Sequence, residues 1–322
     1  MKRTIYLYIL GLLTVLTACE KPIPYNGEYE DPKLVIQAQL SEGDSALSCT
    51  VSHSVFFLEY TPKMYDLSYG LTLTVMRDNG ETISVPDTEV ADLTKRDYNI
   101  PLAIPLKAGE VIRIQASHPD YPTAVGKDTI MPKPDYTILS CVWDSLEGVC
   151  RVKLRINENT AVHGVMAIRG ALDYQWIGKN HNTGETKVYT GTAKFIQSKD
   201  NLFASLGNAF STDYGYNSRE EMYFKADEAR NREVTVEFPL NNGYTPVTMT
   251  VQLMSLSTDA YLYRRSMFNY MGAYGISDID LGAELSSMFG IEETVQLYSN
   301  IENGYGIVAG QSSNKQTINL NE

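Results

Sequence analysis

The sequence predicts a mainly β protein, with an N-terminal immunoglobulin-like β-sandwich followed by a second β-rich domain that carries one helix in the C-terminal half. Three observations support this fold class. Short alternating or apolar runs bounded by turn residues recur along the chain, as in β-sandwiches. The pair Asn79-Gly80 separates two such runs and is a strong hairpin signal. A helical apolar period is clear near residues 258–272.

Residues 1–18 predict a lipoprotein signal peptide. Two basic residues precede the apolar stretch Ile5–Leu16, which is too short to cross a bilayer as a permanent helix. The segment ends in Leu16-Thr17-Ala18-Cys19, the pattern of a lipobox. After cleavage, acyl chains such as palmitate on Cys19 would anchor the protein at about 0.8 kcal/mol per buried methylene. The alternative is a plain secretory signal followed by an unrelated cysteine.

Residues 19–32 predict a lipidated tether. The segment is rich in Pro, Gly, Tyr and acidic residues and has no helical or strand period. Extended, it would reach roughly 40 Å, which is enough to lift a domain clear of the lipid head groups.

The immunoglobulin-like sandwich is predicted over residues 33–131. Its clearest strand patterns are Leu34–Ala38, Leu71–Met76 and Val111–Ala116. The hairpin at Asn79-Gly80 follows the second of these, because both turn positions tolerate positive φ.

The second domain is predicted over residues 135–322. The boundary is Met131-Pro132-Lys133-Pro134, since two prolines stiffen the connection and cannot continue a strand ladder. Strand patterns resume at Val149–Ile156, Gly164–Ile177, Val234–Phe238 and Val247–Leu256. Residues 198–229 have weaker periodicity and indicate a long loop, with room for one short helix.

The predicted helix begins near Thr258, where Ser257 or Thr258 can cap it. One face would present Tyr263, Met267, Tyr270 and Tyr274. We expect this face to pack on the second sheet, with a partner-binding stripe as the alternative.

Three cysteines remain after Cys19 is assigned to lipid. Cys141 and Cys150 flank a predicted tight turn between two strands, so a cross-strand disulfide between them is possible and would be decided by their Cβ separation. Cys49 fits a buried small apolar residue better than a nucleophile.

The charge and the spacing of polar residues argue against nucleic-acid binding and against known catalytic motifs. Removing residues 1–18 takes away two basic residues, leaving 25 basic against 39 acidic residues, a net charge of −14. Such a chain would be repelled by phosphate backbones. The histidines His53, His118, His163 and His181 lack zinc-ligand spacing, and no Gly-x-Ser-x-Gly elbow is present. We expect no catalytic residue, metal or cofactor other than the covalent lipid.

Tyrosine is abundant, with 22 in 322 residues. Tyr214, Tyr216 and Tyr274 stand beside glycines in predicted loops or at a helix end, and such rings with polar tips are favoured at recognition surfaces. They are candidates for a partner surface. The alternative is the tyrosine content that β-rich exported proteins commonly have.

Two stretches carry a resemblance to a known family, Leu253–Tyr263 and Tyr298–Gly310, the latter containing Asn-Ile-Glu-Asn-Gly-Tyr-Gly. They resemble the domain of unknown function family 4249, exported lipoproteins of Bacteroidota. Cys19-Glu20-Lys21 followed by Pro32–Ile36 is similar to the usual opening of that family. Residues 276–293 are longer than expected for it.

The resemblance implies an outer-membrane lipoprotein associated with a TonB-dependent transporter, and it implies no catalytic residues. The acidic residues of the tether lie where surface-exported lipoproteins of Bacteroidota carry an export signal, so we expect the cell-surface face. The leading hypothesis is therefore a non-enzymatic accessory or ligand-presenting lipoprotein. An adhesin or fimbria-like structural lipoprotein is the alternative, and a hydrolase is a third.

Overall fold

The computed structural model describes residues 30–55, 67, 70–85, 96–157, 164–179, 185–194, 196–204, 206, 220–240, 243–273 and 296–320. Contacts divide the chain into Met1–Asp31 and Pro32–Glu322. The signal peptide, Cys19 and the tether up to residue 29 lie outside the described residues. No helix in the described ranges is both long and apolar enough to span a bilayer.

The predicted fold class is confirmed: the protein is mainly β, with several sandwich-like sheets and a helix in the C-terminal half. The strands are β1 (Leu34–Leu40), β2 (Ala46–His53), β3 (Thr72–Arg77), β4 (Thr82–Val85), β5 (Arg96–Pro101), β6 (Val111–His118), β7 (Tyr121–Thr129), β8 (Tyr136–Asp144), β9 (Val149–Ile156), β10 (Val165–Lys179), β11 (Thr186–Ala193), β12 (Glu221–Lys225), β13 (Glu233–Pro239), β14 (Thr245–Leu256), β15 (Ile301–Glu302) and β16 (Tyr305–Asn319). The helices are α1 (Ala226–Ala229) and α2 (Thr258–Ala273), and Asn201–Ala204 form a 3-10 turn.

The largest sheet has the order β11-β10-β14-β16-β1-β2-β5, with β12 also paired to β10. Its central strand is β16. Residues 305–310 of β16 run parallel to β1, whereas residues 311–319 run antiparallel to β14. One strand therefore joins the two halves of the sheet.

The first hydrophobic core lies between β1, β2 and β5 of the large sheet and the five-stranded sheet β15-β7-β6-β3-β4. Alternation explains how these strands build it. In β1, for example, Leu34, Ile36, Ala38 and Leu40 are all buried. The predicted hairpin at Asn79-Gly80 joins β3 to β4, and Gly80 has a φ of +89°. Cys49 is buried in this core, as expected of a small apolar residue.

The second core lies between the β10, β14 and β12 part of the large sheet and the three-stranded sheet β13-β9-β8. Phe224 and Phe238 are among its largest fully buried side chains. Gly170 on β10 gives Phe238 room, because a Cβ there would lie 2.4 Å from the Phe238 ring.

Helix α2 packs on the opposite face of the large sheet, against β16 and β14. Ala260 and Tyr261 are its most buried described residues and join Ile307 and Ala309 of β16 in a third apolar cluster. Among the described residues of the predicted stripe, only Tyr263 packs on this cluster, and it does so in part. Met267 and Tyr270 are partly exposed, and Tyr274 lies outside the described residues.

The predicted boundary at Pro132 and Pro134 lies where the chain leaves the first core for the second. However, β15 and β16, which the sequence assigned to the second domain, pair with β7 and β1 of the first. The residues between Pro32 and Glu322 form one compact unit.

Residues 198–229, predicted as a loop, contain the strand β12 in addition to the 3-10 turn and α1. Strand β12 pairs with residues 165–169 of β10. The sequence did not predict β12, because this strand has no local strand period and forms by pairing with β10.

Candidate functional site

Strands β10 and β11 extend beyond the rest of the large sheet. The last register pair between β10 and β14 is Gln175 with Thr245, whereas β10 pairs with β11 as far as Lys179 with Thr186. We call residues 176–179 and 186–189 the projecting ribbon. Among the described strands, only β10 and β11 form this part of the sheet.

One face of the projecting ribbon carries stacked aromatic rings. Trp176 and Tyr189 are register partners, and their ring centroids lie 5.4 Å apart at an interplanar angle of 21°. Tyr244 lies 5.2 Å from Trp176 and 4.8 Å from Tyr174, again between ring centroids. Tyr174 and Tyr244 pack against the second core. The row of rings therefore continues the core face outward to Tyr189, which is 38% exposed.

Two glycines make room for these rings. Gly191 faces Tyr174 in the register, and a Cβ at Gly191 would lie 2.6 Å from the Tyr174 ring. A Cβ at Gly178 would lie 2.7 Å from the Tyr189 ring. The rings thus lie against bare backbone, as in aromatic rescue of glycines in sheets.

The other face of the projecting ribbon is aliphatic and open to solvent. Ile177 and Val188 are register partners, and they are 75% and 63% exposed. Strand β11 lies at the end of the sheet order, and its side chains from Thr186 to Thr190 are exposed. An edge strand with exposed apolar side chains is a template for pairing with another chain.

A polar cluster links the start of helix α2 and strand β16 of the large sheet to strand β7 of the five-stranded sheet. Ser257 Oγ donates to Asp128 Oδ2 at 2.5 Å, and Gly310 N donates to the same oxygen at 2.7 Å. Ala260 N donates to Ser257 Oγ at 3.0 Å, so Ser257 caps helix α2 as predicted. Burial raises the pKa of the Asp128 carboxyl, and the hydrogen bonds from Gly310, Ser257 and Thr129 oppose that rise.

The segment Tyr298–Gly310, which carries the family resemblance, completes this cluster. The Asn300 side chain makes the two hydrogen bonds to the Val308 backbone that a neighbouring strand would otherwise make. Its Nδ2 donates to Val308 O at 2.8 Å, and its Oδ1 accepts from Val308 N at 3.0 Å. Tyr298 Oη donates to Asp259 Oδ1 at 2.5 Å. Gly306 has a φ of +102°, and a Cβ there would lie 2.1 Å from Ile36 O. These residues fix β16 in the sheet, which is a structural role.

A second charged cluster links α2 to β12. Arg264 Nη1 lies 2.7 Å from Glu221 Oε2, and Tyr223 Oη donates to the same oxygen at 2.5 Å. Burial opposes the charge of Glu221, but Arg264 and its other partners lower the pKa of this carboxyl overall.

Cys141 and Cys150 lie on β8 and β9 with their sulfurs 3.6 Å apart and unbonded. Tyr214, Tyr216 and Tyr274 lie outside the described residues, so their role as a partner surface stays a prediction. The described histidines, His53 and His118, both contact the Tyr121 ring, at 5.3 and 5.0 Å between centroids.

In the described part of the chain, no three or more His, Cys, Asp or Glu side chains are grouped so that they could hold a metal ion. Sequence reasoning missed the projecting ribbon. The sequence does indicate it, because Trp176 and Gly178 alternate with Ile177 along one strand. Trp176 and Ile177 therefore place a large apolar side chain on each face of that strand.

A family model described as "Domain of unknown function (DUF4249)" matches residues 20–317. No curated protein gives a significant match. Two solved structures are similar to the chain at low identity. One is a DUF4785 family protein from Legionella pneumophila subsp. pneumophila str. Philadelphia 1, with a TM-score of 0.25, 11% identity, and coverage of 70% of this chain and 53% of that chain.

The other is a tetra-tandem repeat from the extending region of a large adhesion protein, with a TM-score of 0.22, 8% identity, and coverage of 91% of this chain and 51% of that chain. The chain spans about half the length of each of these structures. Scores this low carry no functional argument.

Proposed function

The chain belongs to the family described as domain of unknown function DUF4249, and we propose that it is a non-enzymatic outer-membrane lipoprotein that docks on a TonB-dependent transporter. It is anchored by lipid on Cys19 and faces the cell surface. In this role it assists the transporter or presents ligand to it. The lipobox, the acidic tether and the family resemblance support the location.

The single observation that supports docking on the transporter is the projecting ribbon. Ile177 and Val188 are 75% and 63% exposed on a two-stranded extension. Exposed apolar patches of this kind mark interaction sites, because leaving them in water is unfavourable. The edge strand β11 also offers backbone hydrogen-bonding groups, which a protein partner can use and a lipid surface cannot.

An adhesin or fimbria-like role is less well supported. Assembly of that kind needs an exchangeable terminal strand. Strand β16 lies inside the large sheet, between β14 and β1, where its residues 305–310 pair with β1 and its residues 311–319 pair with β14. Releasing it would open both halves of that sheet.

The test is co-purification from native outer membranes with a C-terminally tagged chain in mild detergent. The wild type should recover a transporter barrel in near-equal amount. The double substitution Ile177→Ser with Val188→Ser should reduce the barrel at least tenfold. The matched control is Leu146→Ser, which removes an apolar side chain that is 93% exposed at the β8–β9 turn and should leave recovery unchanged.

Two results would contradict the proposal in different ways. If the wild-type chain came out alone or as a self-polymer, docking would be wrong. If the ribbon variant still recovered the barrel in full amount, the docking surface would lie elsewhere on the molecule.

A further inference from the structure

The two cysteines of the second core form a pair that no functional assignment uses. Cys141 lies on β8 and Cys150 on β9, and the two strands are joined by the turn that follows Asp144. In the register, Cys150 is opposite Trp143, so Cys141 is its diagonal neighbour on the same face. The sulfur atoms lie 3.6 Å apart. A disulfide requires them at about 2.05 Å, so only a small side-chain adjustment separates the two states.

The two thiols differ in access and in acidity. Cys150 is fully buried in the second core, whereas Cys141 is half-buried on β8, the end strand of its three-stranded sheet. The hydrogen bond from Cys150 lowers the pKa of the Cys141 thiol, while the same contact and burial raise the pKa of the Cys150 thiol. The thiolate is the reactive form, so Cys141 is the attacking sulfur.

We propose that Cys141 and Cys150 are a selective dithiol that oxidises to an intramolecular disulfide closing the β8–β9 hairpin. The oxidant is a disulfide, either a small molecule or a thiol–disulfide oxidoreductase. The export proposed above supplies the oxidising compartment in which such bonds persist.

The reaction balances as two thiol–disulfide exchanges. The Cys141 thiolate attacks one sulfur of the oxidant, whose S–S bond breaks and whose first thiolate leaves and takes up a proton. Cys150 then loses its proton and attacks Cys141 Sγ in the mixed disulfide. This step expels the second thiolate of the oxidant. Two protein thiols are oxidised and one external disulfide is reduced to two thiols.

Cys49 provides an internal comparison. It is buried in the first core, and burial raises its pKa to about 12. We expect Cys49 to stay a thiol under conditions that oxidise the pair.

The experiment maps the thiols of the full chain, isolated from membranes with N-ethylmaleimide present throughout and then denatured in the same reagent. Protease cleavage after Glu147 separates the two cysteines. The proposal predicts that the fragments with Cys141 and Cys150 stay linked and unlabelled, and that Cys49 is labelled. Reduction should release the fragments and expose both thiols.

A second measurement is independent of the location. The reduced, folded chain is incubated with excess oxidised glutathione, and the linked fragments should form. In Cys150→Ala the mixed disulfide should accumulate on Cys141, whereas Cys150 in Cys141→Ala should react at least tenfold more slowly. Cys49→Ala is the matched control and should leave the link intact.

Suppose that both cysteines of the membrane-derived chain are labelled, but that oxidised glutathione forms the link in the folded chain. This result would support the dithiol and would contradict the oxidising compartment, and so would count against the proposed export. Failure of the folded chain to form the link with excess oxidised glutathione would overturn the dithiol, whatever the location.

Discussion

At the residue scale, Gly310 on β16 makes the closest approach to neighbouring backbone among the described glycines. Its amide donates to Asp128, and a Cβ at this position would lie 1.8 Å from the carbonyl oxygen of Thr129. The obstacle is backbone, which cannot rotate away. At this point of contact with β7, strand β16 therefore has no room for a side chain.

We expect Gly310→Ala to lower the free energy of unfolding by about 3 kcal/mol, because β16 or β7 must shift to avoid the overlap. The control is Gly80→Ala, where a Cβ would have nothing within 4 Å and the cost is the strain of a φ of +89°, about 1–2 kcal/mol. Urea denaturation of both variants measures the difference. Equal losses would contradict the close approach.

Glu221 makes part of the stability dependent on pH. Its pKa is lower in the folded chain than its ordinary value of 4.5, so its contribution is fully present above that value and is lost as the pH falls through the folded pKa. We expect Glu221→Gln to destabilise the protein near neutral pH and to differ less from wild type as the pH falls below 4.5. Denaturant unfolding across that range tests it, and a difference independent of pH would contradict the charged pair with Arg264.

The sequence predicted the character of some of these residues, but it did not predict the surroundings of others. It predicted Cys49 as a buried apolar residue, and the structure agrees. It could not predict that Ile177 is exposed. Whether an apolar strand residue is buried depends on a covering layer that only the tertiary fold supplies.

At the element scale, helix α2 depends on its first turn. Ser257 Oγ accepts from Ala260 N and donates to Asp128 on β7. One hydroxyl therefore caps the helix and also bonds it to the five-stranded sheet. Ser257 is also buried.

We expect Ser257→Ala to cost about 1–2 kcal/mol of unfolding free energy, from the lost cap and the lost bond to Asp128. The matched control is Thr258→Ala, which removes the exposed hydroxyl of the next residue and should cost less than about 0.5 kcal/mol. Thermal or urea unfolding measures both. A similar cost for the two variants would show that Ser257 does not cap the helix.

The elements were predictable where local pattern and fold agree. Strand β9 has the predicted bounds, Val149–Ile156, and α2 begins at Thr258 as predicted. Strand β12 was missed because its sequence has no strand period and its conformation comes from pairing with β10.

At the scale of the whole molecule, β16 belongs to both cores. Its first residues pair with β1 and its last residues pair with β14. If β16 separated from the first core, it would also disrupt the large sheet, which covers the second core.

We therefore expect residues 32–322 to unfold in one cooperative transition despite having two cores. Calorimetry should give a calorimetric enthalpy equal to the van't Hoff enthalpy. Two resolved transitions would show that the cores are independent domains, as the division into 33–131 and 135–322 would suggest.

The return of the C-terminal strands to the first sandwich was not predictable from the sequence. Pairing of Val35 with Tyr305 joins distant parts of the chain and leaves no local period. The family resemblance marked Tyr298–Gly310 as distinctive, and the structure gives the physical reason: this segment places β16 between the two halves of the sheet.

The central claim is that the projecting ribbon contacts a transporter, and site-specific photocrosslinking tests it most directly. A photoreactive residue at Val188 in cells should give one crosslinked product containing a transporter barrel, whereas the same residue at Leu146 should give none. Crosslinks from Val188 to lipid alone, to a second copy of the chain, or to nothing would contradict the claim.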